Sequence, residues 1–133
     1  MVPVIEAIKS GKHVLCDGGA CQRRPGFGPD ITMDSWAEAM KQVGFEDFYD
    51  VGLGGDMTAA YEAEEWTEAY KEGKKKVTSC CPAFVNMVRL HFPQLADCVS
   101  TTVSPMCGVS RLIKAQDPEA VTVFIGPCVA KKF

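Results

Sequence analysis

Apolar and polar positions along the chain alternate between two periods, and the switches between them define the elements. Val4, Ile5 and Ile8 fall at helical spacing between Val2 and Ser10, and Gly11 stops the run, so a short helix is predicted there. Lys12 to Cys16 follows as a strand, and Asp17 to Asp30, with Gly18, Gly19, Pro25, Gly26, Gly28 and Pro29, reads as a loop. Thr32 or Asp34 can cap a helix to Val43 whose face is Trp36, Ala39, Met40 and Val43, with Gly44 ending it. Phe48 to Leu53 is the second predicted strand, and Gly54-Gly55 open a helix from Asp56 to Glu72 that Gly73 terminates. Lys74 to Lys76 leads into a third short strand ending near Ser79, and Pro82 suits the first turn of the next helix. A helix from Ser104-Pro105 to Gln116 then precedes the clearest strand, Val121 to Ile125.

Strands alternate with helices throughout, which predicts an α/β fold: a parallel sheet of about four strands flanked by helices. At 133 residues the chain is one domain's worth, or one lobe of a larger one. A net charge of -3 carries no basic footprint for nucleic acid. The longest uncharged stretch, Cys98 to Ser110, falls short of the ~20 apolar residues of a membrane helix, so no membrane span is expected. The N-terminal residues do not read as a secretory signal, and a cytoplasmic location is expected.

Seven cysteines change the picture. An odd number in a chain of this kind argues against a closed disulfide framework and leaves metal ligation, redox chemistry or plain burial. Two motifs stand out by position. In Thr78-Ser79-Cys80-Cys81-Pro82 the thiols lie where a predicted strand hands over to a helix, and in Gly126-Pro127-Cys128 a thiol lies just past another strand. Carboxyl ends of parallel strands are where ligands bind in open α/β sheets, and a helix N-terminus favours the thiolate. Spacing alone leaves cluster ligation, a thiol redox pair and buried cysteines all open. A zinc domain is disfavoured, because the short paired spacing of common zinc sites is missing.

The strings Thr78-Ser79-Cys80-Cys81-Pro82-Ala83-Phe84 and Pro127-Cys128-Val129-Ala130-Lys131-Lys132-Phe133 resemble the first and second signature motifs of iron-only hydrogenases. Gly44-Phe45 through Asp50 to Gly55-Asp56-Met57-Thr58, and Ser104-Pro105 followed by Leu112-Ile113-Lys114, fit the same family in order. The resemblance covers residues 30 to 133 and implies one lobe of a hydrogenase catalytic domain. That family carries the H-cluster, a 4Fe-4S cluster joined through a cysteine thiolate to a di-iron subcluster with CO, cyanide and a bridging dithiolate amine.

By resemblance, Cys81 and Cys128 are two of the four cluster thiolates. Cys80 is the acid that exchanges a proton with the bridging amine, since a thiol can both give and take one near neutral pH. Lys131 holds a cyanide ligand. Ser100, Glu62 and Glu65 continue a proton path outward, the two glutamates sharing a face three residues apart on a helix. Read from the residues alone, Lys131 is a solvated lysine, and Glu62, Glu64, Glu65 and Glu68 form an ordinary acidic solvent face.

The chain departs from the family's pattern in three places. Met106 and Gly126 stand where members have a glutamine after the Ser-Pro pair and a methionine before the Pro-Cys pair. Cys16 to Gly26 replaces an Ala-Pro-Ala-like segment, and Cys16 and Cys21 match no cluster motif. The chain stops at Phe133, before the third motif that carries the other two thiolates, so the expectation is an incomplete lobe with no bound cluster and no turnover of its own. The expected partners are a ferredoxin-like electron carrier or fused iron-sulfur domains. The competing expectation is a hydrogenase-like redox sensor or iron-sulfur protein without turnover.

Overall fold

The computed structural model describes residues 1–18 and 31–132. Among them are five helices, α1 (Val2–Lys9), α2 (Met33–Val43), α3 (Gly52–Lys71), α4 (Pro82–His91) and α5 (Pro105–Gln116), with strands β1 (Val14–Gly18), β2 (Asp47–Asp50) and β3 (Val121–Ile125) and 3-10 turns at Pro93–Cys98 and Val129–Lys132. They form an α/β fold. The residues divide into two compact units, the first comprising Met1–Leu53 and Val109–Pro127, the second Gly54–Gly108 and Cys128–Phe133.

The first unit holds a three-stranded parallel sheet in the order β2-β1-β3. The central strand is buried on both faces, as its near-continuous apolar run Val14-Leu15-Cys16 requires. Alternate residues point to opposite sides. Val14 and Cys16 pack with Phe45, Val121 and Val123 against Val4, Ala7 and Ile8 of α1 and Met40 of α2, while Leu15 meets Val109 and Ile113 of α5 and Ala120. The helices therefore cover both faces of a sheet whose strand order reverses beside β1.

Local chemistry sets the helix ends. Thr32 Oγ1 accepts from the Ser35 N–H at 3.2 Å and Ser35 Oγ accepts from the Thr32 N–H at 3.5 Å, a reciprocal cap on α2. Gly44 ends that helix at φ 114°, and a Cβ there would lie 2.8 Å from Ile8 Cγ2, so both conformation and space demand glycine. Gly73 closes α3 at φ 67°, with the Lys74 N–H returning to the Ala69 carbonyl at 2.9 Å.

Three expectations are corrected. Asp17 and Gly18 continue β1 rather than starting a loop, and the rest of the expected loop, with Cys21, lies outside the described residues. The strand expected over Phe48 to Leu53 is Asp47–Asp50, because Asp50 Oδ1 accepts from the Gly52 N–H at 2.8 Å and turns the chain into α3 four residues early. The strand expected near Lys74 to Ser79 is a single parallel bridge between Val77 and Val99, so among the described residues the parallel sheet has three strands where about four were expected. A run with one apolar residue among three lysines has too little to bury to extend the ladder.

Candidate proton path and cysteine site

The sequence-predicted site residues all fall in the second unit. Cys81 is the N-cap residue of α4, extended at φ -104° and ψ 105°, with Pro82 fixing the first turn behind it and its side chain exposed. Cys80, one residue earlier, is half-buried. The neighbouring Ser79 hydroxyl ties this segment down by donating to the Thr102 carbonyl at 2.6 Å.

Cys128 is half-buried and heads the 3-10 turn Val129–Lys132, which packs against α4. Lys131 lies in that turn, its backbone N–H donating to the Cys128 carbonyl at 3.3 Å. The helix headed by Cys81 and the turn headed by Cys128 thus touch within one unit. A four-iron cluster takes four thiolates. Among the described residues no three or more His, Cys, Asp or Glu side chains converge as a metal site. The donor chemistry fits half a cluster set, with Cys81 and Cys128 as the thiolates that would belong to it.

Of the residues expected on the outward path, the structure brings Ser100 and Glu65 together. Ser100, 5% exposed, donates from Oγ to Glu65 Oε2 at 2.6 Å and accepts from the Thr102 N–H at 3.1 Å. Glu62, one turn away on α3, accepts from Thr78 Oγ1 at 2.8 Å. Glu62 and Glu65 are half-buried whereas Glu64 and Glu68 are exposed, so the three-residue spacing separates an inner pair from the solvent face. Among the described residues no hydrogen bond joins Cys80 to this set.

Sequence reasoning missed Lys76, whose Nζ lies 2.9 Å from Glu65 Oε1, and Thr101, whose N–H donates to the same oxygen at 3.3 Å. The signal available was a lysine triplet, which reads as solvated. Glu65 is held at about 2, below the usual carboxylate range, by the Ser100 hydrogen bond first and Lys76 next.

The other described cysteines take ordinary structural places. Cys98 ends a 3-10 turn and Cys107 lies in α5, both half-buried. Cys16 is fully buried in β1, and burial, with the charges of Asp17 and Asp47 adding to it, pushes its thiol up to about 12. It is an inert core thiol.

Gly126 lies in the first unit, against the Phe124 ring. A Cβ at this position would lie 2.6 Å from Cε1 and Cζ of Phe124, so the ring already fills the space a side chain would take. Gly126→Ala is expected to destabilise the protein by about 1 kcal/mol, at the low end for overpacking because a ring can swing aside. The cost should vanish in a Phe124→Ala background, which urea unfolding of the four proteins of a double-mutant cycle would show. Equal costs in both backgrounds would exclude the ring as the cause.

Residues 18–133 match the family described as iron only hydrogenase large subunit, C-terminal domain. Iron hydrogenase 1 of Clostridium pasteurianum is 34% identical over 118 residues, which are 81% of this chain and 20% of that protein. The NADP-reducing hydrogenase subunit HndD of Solidesulfovibrio fructosivorans is 28% identical over 98% of this chain and 26% of its own length. An apo variant of the [FeFe]-hydrogenase HydA1 from Chlamydomonas reinhardtii superposes with a TM-score of 0.80 at 25% identity, covering 97% of this chain and 39% of that one. The chain thus spans well under half the length of each. With the cysteine motifs in their expected order and the match running from the end of β1 to Phe133, this chain belongs to the iron-only hydrogenase large-subunit family.

Proposed function

We propose that this chain is one part of the catalytic domain of an iron-only hydrogenase, a protein that interconverts hydrogen with protons and electrons. The observation that carries the proposal is the packing of α4 against the 3-10 turn Val129–Lys132, which brings the elements headed by Cys81 and Cys128 together. When bound, a 4Fe-4S cluster with a di-iron subcluster would supply the electron-transfer and hydrogen-activating chemistry. Cys81 and Cys128 would hold the cluster, with the remaining thiolates coming from elsewhere in the protein. Lys131 would hold an anionic ligand of the iron by charge.

In this reading Cys80 holds a proton at Sγ beside the reacting centre. Ser100 and Glu65, hydrogen-bonded at 2.6 Å, and Glu62 are steps by which that proton passes to solvent. Electrons would come from a ferredoxin-like carrier or fused iron-sulfur domains. Among the described residues no helix is long and apolar enough to cross a membrane. We propose a cytoplasmic location, where a reducing compartment would keep thiols such as Cys81 and Cys128 available for a cluster.

Anaerobic iron reconstitution tests the proposal, with iron counted on this chain and on a version extended to the length of its relatives. The extended form is expected to gain a four-iron cluster and to lose it on Cys81→Ala or Cys128→Ala, while the 133-residue chain gains none. Iron uptake by neither form would sink the proposal. The second reading, a hydrogenase-like redox sensor, is favoured by Gly126 with the Phe124 ring over it and by Met106. Cluster uptake without hydrogen evolution would select it.

A further inference from the structure

The Ser100–Glu65 pair has a third member that the proton path does not yet use. Val77 and Val99 form an isolated parallel bridge, the Val77 N–H donating to the Cys98 carbonyl and the Ser100 N–H to the Val77 carbonyl, each at 2.8 Å. Lys76 precedes one end of that bridge and Ser100 follows the other, so the backbone fixes both against the same glutamate of α3. Ser100 takes Glu65 Oε2 at 2.6 Å, and Lys76 takes Oε1 at 2.9 Å, shared with the Thr101 N–H.

Neither charged side chain is at the surface in the ordinary sense. Lys76 is 17% exposed and Glu65 20%, so the pair is screened far less than a solvated one, and a lysine so covered requires its partner. Other charged groups lie close by. Glu68, Glu72, Lys74 and Asp97 line a groove of about 370 Å³ with Glu65 and Lys76, and Glu62 lies one turn away on α3, bound by Thr78. Lys74 is engaged by Glu72 at 2.6 Å. Among the described residues Lys76 is therefore the cation on Glu65.

A carboxylate with both oxygens occupied by donors, one of them an ammonium, accepts a hydrogen bond from Ser100 without taking its proton. A path through Ser100 stops there until the ammonium leaves. We infer that Lys76 gates this path as a positioning residue: closed on Oε1 it keeps Glu65 a carboxylate and aims the Ser100 hydroxyl at it, and its release lets Glu65 take a proton. The proton then moves from Ser100 Oγ to Glu65 Oε2, Ser100 is reprotonated from the inner side, and no electrons move. The inference rests on the proton-path reading of the preceding subsection.

The test is a carboxyl titration by ¹³C NMR of the 133-residue chain, with Glu65 assigned by Glu65→Gln. Lys76→Met and Lys76→Gln are expected to raise the Glu65 midpoint by about 1–2 pH units, the usual effect of a close opposite charge, and Lys76→Arg to restore it. An unmoved midpoint in whichever neutral variant stays folded overturns the inference. In the iron-loaded extended protein, Lys76→Met is expected to displace the pH profile of hydrogen turnover and Lys76→Arg to return it; an unchanged profile overturns the gate. Ser100→Ala in that protein separates the two ideas. Unchanged turnover there removes the path, and the gate with it, while the titration still reports the clamp as a structural contact.

Discussion

Asp17→Asn is expected to stabilise the protein by about 3 kcal/mol at pH 8, with the gain shrinking toward zero as the pH falls to 4. Asp17 sits on the central strand, 2% exposed, and among the described residues its Oδ1 has no hydrogen-bond partner. Burial pushes its carboxyl from 3.8 up to about 6, against a smaller opposing backbone hydrogen bond. The folded state then binds more protons than the unfolded state between these two values, so stability is greatest below 3.8, falls as the pH rises, and levels off above 6. Asparagine keeps the shape and neutrality of the protonated acid and should abolish the slope. Glu65 acts oppositely, its depressed carboxyl giving stability that is present above 4.5 and lost as the pH falls through about 2. Because Glu65 is common to both proteins, the difference between their urea-unfolding curves isolates Asp17. Parallel curves from pH 4 to 7 would mean that the carboxyl finds a partner in solution.

Ile113→Ala should cost about 2–5 kcal/mol. Ile113 is 2% exposed and packs with Leu15, Val109 and Ala120, the cluster that joins α5 to the central strand. Removing its branched chain loses the transfer energy of three carbons and leaves a cavity that a strand flanked on both sides cannot easily close. Ile113→Val, which removes one methyl group, should cost about 0.5–1.5 kcal/mol. Leu90, 76% exposed on α4, supplies the contrast, with Leu90→Ala expected within about 0.5 kcal/mol of the parent. Chemical denaturation of the three variants decides the matter. An Ile113→Ala cost no larger than that of Leu90→Ala would mean that α5 is not docked on β1.

The elements legible in the sequence are those with a stop signal at one end and a period between. Gly11, Gly44 and Gly73 close three helices, Pro82 and Pro105 open two others, and the five-residue β-rich run Val121–Ile125 is a strand over its whole length. Asp17 was hidden because Asp-Gly-Gly is also a turn signal, and only pairing with Tyr49 and Phe124 on both sides holds it in the strand. Glu62 and Glu65 came from the family resemblance, since the residues alone read as an acidic solvent face. Lys76 was missed, because which of three consecutive lysines turns inward is decided by the Val77–Val99 bridge, a contact 22 residues apart that no local pattern encodes.

The central position of β1 also fixes when this fold can form. Its partners are β2, about thirty residues on, and β3, which ends at Ile125. On the ribosome, Val14, Leu15 and Cys16 must therefore wait with one flank open while more than a hundred further residues are made. Parallel pairing of such separation is slow, and an apolar strand left unpaired is the kind of segment that seeks another chain. Newly made copies are thus most vulnerable to clumping before β3 emerges, and the yield of folded protein should depend on how crowded they are in that interval.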